Sequence, residues 1–94
     1  MATNGRKFKW VRIARMYGIR NWKGYELYIE GRKARVALIE KIPNFNNYTA
    51  LVDFNAEGGS GVYLGYNKKT GKISTYHYLE DIKKAVEKHY GLKR

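Results

Sequence analysis

The stretch Tyr48–Phe54 reads YTALVDF and decides the fold class of the chain. Along it, Tyr, Ala, Val and Phe alternate with Thr, Leu and Asp, so an extended backbone would direct the two sets to opposite sides. Aromatic and β-branched residues also favour strands. We therefore predict a β-strand here, with one face turned toward a core.

Similar runs flank this strand. The alternating run 25–29 is followed by a tight turn at Glu30–Lys33 and by a further strand over 34–42. Downstream, 62–66 and 72–76 enclose a turn in which Gly71 can adopt the positive φ of a bulged hairpin. Consecutive strands joined by short turns predict an antiparallel sheet.

The segment Leu79–Tyr90 has the spacing of an amphipathic helix. Acidic residues in its first turn and basic residues in its last complement the helix dipole, and Gly91 supplies a C-terminal stop. The face predicted to pack comprises Leu79, Ile82, Ala85, Val86, His89 and Tyr90.

The segment 8–18 fits a helix or a strand, because its apolar residues satisfy either period. We favour the strand, since a first strand, a long loop and then consecutive strands is the order of an SH3-like barrel. The fold prediction is α+β, mainly β: a small curved antiparallel sheet or SH3-like barrel of about five strands with a C-terminal helix. We expect one small basic domain over 1–94, with 1–7 flexible and the helix at 79–90.

Charge is the strongest functional signal in the sequence. The 94 residues carry a net charge of +11, and residues 1–41 alone contribute +8. Solubility requires a net charge of only about 2 to 8, whereas a large excess of one sign attracts polyanions. The composition therefore predicts a protein that binds an anionic partner.

Basic residues interleaved with aromatic ones are typical of nucleic-acid surfaces, because arginine forks bind phosphate and aromatic rings stack on bases. We expect Trp10 to lie in the core and Trp22, in a polar loop, to be exposed. We predict a protein that grips phosphates with a basic surface, with duplex DNA favoured over RNA. The residues assigned to this surface are Arg6, Lys7, Lys9, Arg12, Arg15, Arg20, Trp22, Lys23, Arg32, Lys33, Arg35, Lys68, Lys69 and Lys72.

A protein-interaction module is the alternative, since a small phage or mobile-element protein that docks on an acidic host partner would carry the same charge. A helix-turn-helix beginning at Ile13–Ile19 is disfavoured, because Gly24 stands where the second helix needs a buried branched residue. We expect a monomer, or a homodimer paired through an exposed edge strand.

Signatures of catalysis, metal binding and membrane insertion are missing from the sequence. There is no Cys, and the only two histidines, His77 and His89, lack the spacing of a zinc site. Glycines at 58, 59 and 61 are not followed by the Lys-Ser/Thr of a phosphate-binding loop. No apolar run approaches the roughly 18 to 20 residues that span a bilayer. We expect a non-enzymatic, cytoplasmic protein without metal, cofactor or membrane contact.

Overall fold

The computed structural model describes residues 7–13, 23–41, 47–54 and 61–93. The elements in these ranges are β1 (Phe8–Ile13), β2 (Lys23–Ile29), β3 (Ala37–Lys41), β4 (Tyr48–Val52), β5 (Val62–Tyr63) and α1 (Leu79–His89). The strands form one antiparallel sheet in the order β1-β2-β3-β4-β5. The predicted mainly β fold with a C-terminal helix is confirmed. Over the described residues the sheet is open, so the SH3-like barrel is unconfirmed.

One face of the sheet packs against α1, which contacts β3 and β4. The alternation predicted for 25–29 and 48–54 places the expected side chains on this face, because strand residues two apart point the same way. The buried core comprises Leu27, Ile29, Val36, Ala37, Ile39, Ala50, Val52, Ile82, Val86 and Leu92.

The strand alternative for the ambiguous segment 8–18 holds over β1, which pairs with β2 so that Trp10 lies opposite Leu27. Residues 14–18 lie outside the described residues, as does the part of the expected flexible terminus before Lys7. β1 is an edge strand, since among the described strands it pairs with β2 alone.

The strand predicted to reach Phe54 ends instead at Val52. Asp53 has φ +58, a left-handed conformation that removes it from the ladder. Its backbone N–H donates to the Tyr90 hydroxyl at 2.7 Å, and its carboxylate contacts His89. Contacts with the end of α1 therefore set the end of β4, and alternation alone gave one strand that was too long.

The predicted hairpin after β4 is only partly formed. β5 is shorter than expected, and 72–76 is not a strand, although Tyr76 makes an isolated bridge to Tyr48. Gly65, with φ +75, turns the chain out of the sheet two residues after β5 ends. The turn glycine Gly71 has the predicted positive φ, at +71.

The predicted helix and its glycine stop are confirmed. Gly91 has φ +66 and donates its N–H to the Lys88 carbonyl at 3.0 Å, while the Leu92 N–H reaches the Glu87 carbonyl at 2.8 Å. This pair of bonds is a Schellman motif, and the buried Leu92 supplies its usual hydrophobic contact.

The predicted packing face of α1 is right at Ile82 and Val86 and wrong at His89. Both aliphatic residues are fully buried, whereas His89 is exposed. Glu87 is buried instead and accepts the Trp10 indole N–H at 2.9 Å. A carboxylate can occupy the interface because this hydrogen bond partly compensates for its lost hydration.

Candidate functional site

The structure divides the predicted binding surface into separate groups. One lies where β1 begins and β2 turns into β3, and comprises Lys7, Lys9, Arg32, Lys33 and Arg35. A second lies in the turn after β5 and comprises Lys68, Lys69 and Lys72. Arg12 is exposed near the far end of β1. Lys23 begins β2, but the structure does not describe its side chain. The other predicted residues, Arg6, Arg15, Arg20 and Trp22, lie outside the described residues.

Two adjoining clefts flank the loop between β2 and β3, residues 30–36, which we call the basic loop. Each has a volume of about 340 Å³, and Arg32 borders both. The other basic and aromatic residues at the first cleft are Lys7, Phe8, Lys9 and Tyr28. Those at the second are Lys33, Arg35 and Phe54. The first cleft therefore brings together cations from two separate parts of the chain, whereas the cations of the second all belong to the basic loop.

The basic loop begins in a tight turn. Gly31 has φ +90, which a residue with a side chain rarely adopts. The Arg32 N–H donates to the Ile29 carbonyl at 3.0 Å and closes the turn, and the Glu30 N–H donates to the Lys7 carbonyl at 2.8 Å. These bonds hold Arg32 next to the start of β1.

The far end of the basic loop is anchored to the sheet and to the end of α1. The Val36 N–H donates to the Leu27 carbonyl at 2.9 Å. The Val36 carbonyl accepts the Tyr90 hydroxyl at 2.7 Å. Because both ends of the loop are fixed, the exposed side chains of Arg32 and Lys33 project from a backbone of defined position.

Arg35 is engaged within the protein. Its guanidinium lies 2.7 Å from the Glu26 carboxylate and 5.1 Å from the centre of the Phe54 ring. The Tyr28 hydroxyl donates to the same carboxylate at 3.0 Å, and burial together with this carboxylate raises the pKa of Tyr28. The guanidinium fork is thus partly occupied, so Arg35 positions the loop while Arg32 stays available.

A polar cluster next to the far end of the basic loop was not predicted from the sequence. The Asp53 carboxylate oxygens lie 3.0 and 3.2 Å from His89 Nε2, and the neighbouring Tyr90 hydroxyl bridges Asp53 and Val36. Burial is the main cause of a raised pKa at Tyr90. The left-handed conformation of Asp53 leaves no trace in an alternating pattern, so no local signal marks this cluster.

Trp10 lies at the interface between sheet and helix. It was predicted to lie in the core, but it is half-buried and packs against the margin of the core. The Lys83 ammonium lies 5.8 Å from the centre of its ring and 5.0 Å from that of Tyr25. Trp10 therefore helps to join the sheet to the helix.

In the part of the chain that the structure describes, no three His, Asp or Glu side chains are grouped so as to hold a metal ion. Within the same ranges, no helix has the length and apolar character needed to cross a membrane.

Comparison with known proteins finds no relative. The sequence matches no family model, and it is similar to no curated protein and to no solved structure at a significant level. Function must therefore be inferred from the geometry and charge of the chain itself.

Proposed function

We propose that the protein binds nucleic acid, with duplex DNA as the preferred form, through the basic loop and its two clefts. The observation that carries this proposal is convergence: Lys7, just before β1, and Lys9, in β1, border the same cleft as Arg32, although the loop is distant in sequence. Cations held close together suit successive backbone phosphates, because they form charge-assisted hydrogen bonds and release condensed counterions.

The five cations at this end of the sheet outnumber the three carboxylates, which are Glu26, Glu30 and Asp53. Glu26 forms an ion pair with Arg35, and the Asp53 carboxylate lies 3.0 Å from His89 Nε2. Glu30 is exposed beside the first cleft. An excess of positive charge therefore faces solvent around the clefts and favours a polyanion.

Phosphate contacts position a protein on DNA without reading its sequence. The proposed binding is therefore sequence-independent and non-enzymatic, and it calls for no metal or cofactor. A curved, SH3-like sheet and a cytoplasmic location belong to the same proposal.

The matched variants that test this site change net charge equally. Arg32→Ala combined with Lys33→Ala lowers it from +11 to +9, and Lys84→Glu does the same from an exposed position on α1. We expect the loop variant to weaken binding to a random-sequence duplex and to reduce the slope of log affinity against log salt by about 1.8. The Lys84→Glu variant should change both far less. Equal losses in the two variants would show that net charge, and not the basic loop, drives binding.

The alternative partner is an acidic protein, because an arginine fork fits a carboxylate as well as a phosphate. A folded acidic surface lacks the condensed counterions of DNA, so its binding should depend less steeply on salt. The salt slope therefore separates the two partners.

A further inference from the structure

After β5 the chain leaves the sheet and later returns to it. The Leu64 N–H still donates to the Ala50 carbonyl of β4 at 2.8 Å, and Tyr76 then pairs with Tyr48, two residues earlier in β4. In a continuous antiparallel strand a single residue would separate those pairing positions. In this chain residues 65–75 separate them instead, and we call this segment the excursion. It departs from the edge of β4 that faces away from β1.

The excursion begins with a turn of fixed shape. Gly65, with φ +75, is the third residue of a turn closed by the Tyr66 N–H and the Tyr63 carbonyl at 3.1 Å. The Ser74 N–H donates to the Leu64 carbonyl at 3.0 Å. A Cβ on Gly65 would collide with the Ser74 hydroxyl, so the two arms of the excursion lie in close contact.

The tip of the excursion is fixed as well. The Asn67 side-chain oxygen accepts the backbone N–H of Lys69 at 2.8 Å and that of Thr70 at 3.3 Å. The Asn67 carbonyl accepts the Gly71 N–H at 2.7 Å, and the Asn67 N–H donates to the Lys72 carbonyl at 2.9 Å. An asparagine that caps its own turn in this way restrains the backbone before any ligand arrives.

Core packing does not explain this preset shape. None of residues 65–75 is buried, and all except Ile73 and Ser74 are exposed. A loop that buries no apolar side chain and yet holds a defined geometry is suited to present side chains for binding.

The excursion and the end of β5 carry exposed aromatic rings and exposed cations within one short segment of the chain. Tyr63 is 40% exposed and Tyr66 is 51% exposed. As the first and fourth residues of one turn, they have Cα atoms within about 7 Å of each other. The exposed lysines that follow are Lys68, Lys69 and Lys72. The sequence between Gly61 and Leu79 contains no acidic residue, so no carboxylate of this segment competes for them.

We propose that this surface, the Tyr–Lys turn (residues 63–72), binds single-stranded DNA. The tyrosine rings stack on unpaired bases, and the lysines neutralise the adjoining phosphates. The bases of a duplex are already stacked on one another, so the rings gain little from double-stranded DNA. The inference rests on the proposed function for the class of ligand, and it adds a second contact surface with its own preference.

The test compares oligo(dT) of about 15 nucleotides with a duplex of the same length. We expect Tyr66→Ala to weaken oligo(dT) binding about fivefold or more and to change duplex binding less than about twofold. Lys68→Ala with Lys69→Ala should also weaken oligo(dT) binding, whereas Tyr66→Phe should retain it because the ring remains. Tyr78→Ala is the matched control, since that ring is 65% exposed but lies at the start of α1, outside the turn.

The outcomes separate this inference from the proposed function. If the wild type binds both DNAs and Tyr66→Ala matches it on oligo(dT), or Tyr78→Ala loses as much, the Tyr–Lys turn is not the single-strand site and the basic loop proposal stands. A wild-type protein that binds neither DNA overturns both. A loss by Tyr66→Ala on oligo(U) but not on oligo(dT) overturns the assignment to DNA.

Discussion

Replacing Tyr90 with Phe removes a single hydroxyl that ties three parts of the fold together. That hydroxyl donates to the Val36 carbonyl at 2.7 Å and accepts the Asp53 N–H at 2.7 Å. Val36 ends the basic loop, and Asp53 ends β4 with its left-handed φ of +58. The substitution therefore loosens the anchor of the basic loop while the aromatic ring at the C-cap of α1 stays in place.

The expected cost follows from the surroundings of the two bonds. An intramolecular hydrogen bond contributes about 0.5 to 1.5 kcal/mol. The Asp53 N–H is exposed and can bond to water when the hydroxyl is removed, so losing its bond costs the lower value of this range. The Val36 carbonyl belongs to a buried residue, so losing its bond costs the upper value. We expect Tyr90→Phe to lower the free energy of unfolding by about 2 kcal/mol. For a domain of this length that lowers Tm by about 8 to 16 °C.

The pH dependence gives a second readout of the same hydroxyl. Burial raises the pKa of Tyr90 in the folded protein. Its contribution to stability is therefore fully present below the unfolded tyrosine pKa of about 10 and is lost as pH rises through the folded pKa. Denaturant titrations across alkaline pH should show a shallower loss of stability for Tyr90→Phe than for the wild type. A variant with wild-type Tm and an unchanged alkaline slope would refute this account of the anchor.

Three further predictions concern the core, the glycines and Trp22. Ile82→Ala, in a fully buried position, should lower the free energy of unfolding by about 2 to 5 kcal/mol in a denaturant melt; a smaller loss would place Ile82 outside the core. Gly65→Ala should destabilise more than Gly71→Ala, because both have positive φ but only the first Cβ meets a neighbour; equal Tm losses would contradict the close contact of the two arms. In a Trp10→Phe background, Trp22 emission should be red-shifted and quenched by oligo(dT), and a blue-shifted emission would place that ring in the core.

Sequence alone was sufficient where a short local pattern determines the structure. Alternation over 25–29 and 48–54 identified the face that packs on the helix, and the 3.6-residue period identified α1. Gly71 and Gly91 stand where the backbone needs positive φ, and both were predicted from residue type alone.

The remaining features depend on contacts between distant residues. The early end of β4 comes from Asp53 meeting the end of α1, and burial of Glu87 comes from its bond to Trp10 across the helix–sheet interface. Whether a sheet closes into a barrel depends on its twist and strand number, which no local period encodes. The sequence placed basic residues at two separate turns, the basic loop and the Tyr–Lys turn, but only the pairing of β1 with β2 brings Lys7 and Lys9 next to Arg32.

The central claim is that the cations at the basic loop bind the backbone phosphates of DNA. The most direct test is a titration of the wild-type protein against a random-sequence duplex at several salt concentrations. If about six phosphates are neutralised, log affinity should fall against log salt with a slope near −5. Single-stranded DNA and RNA of the same length serve as parallel ligands. No detectable binding to any of the three at about 50 mM salt, where electrostatic binding is strong, would contradict the proposal.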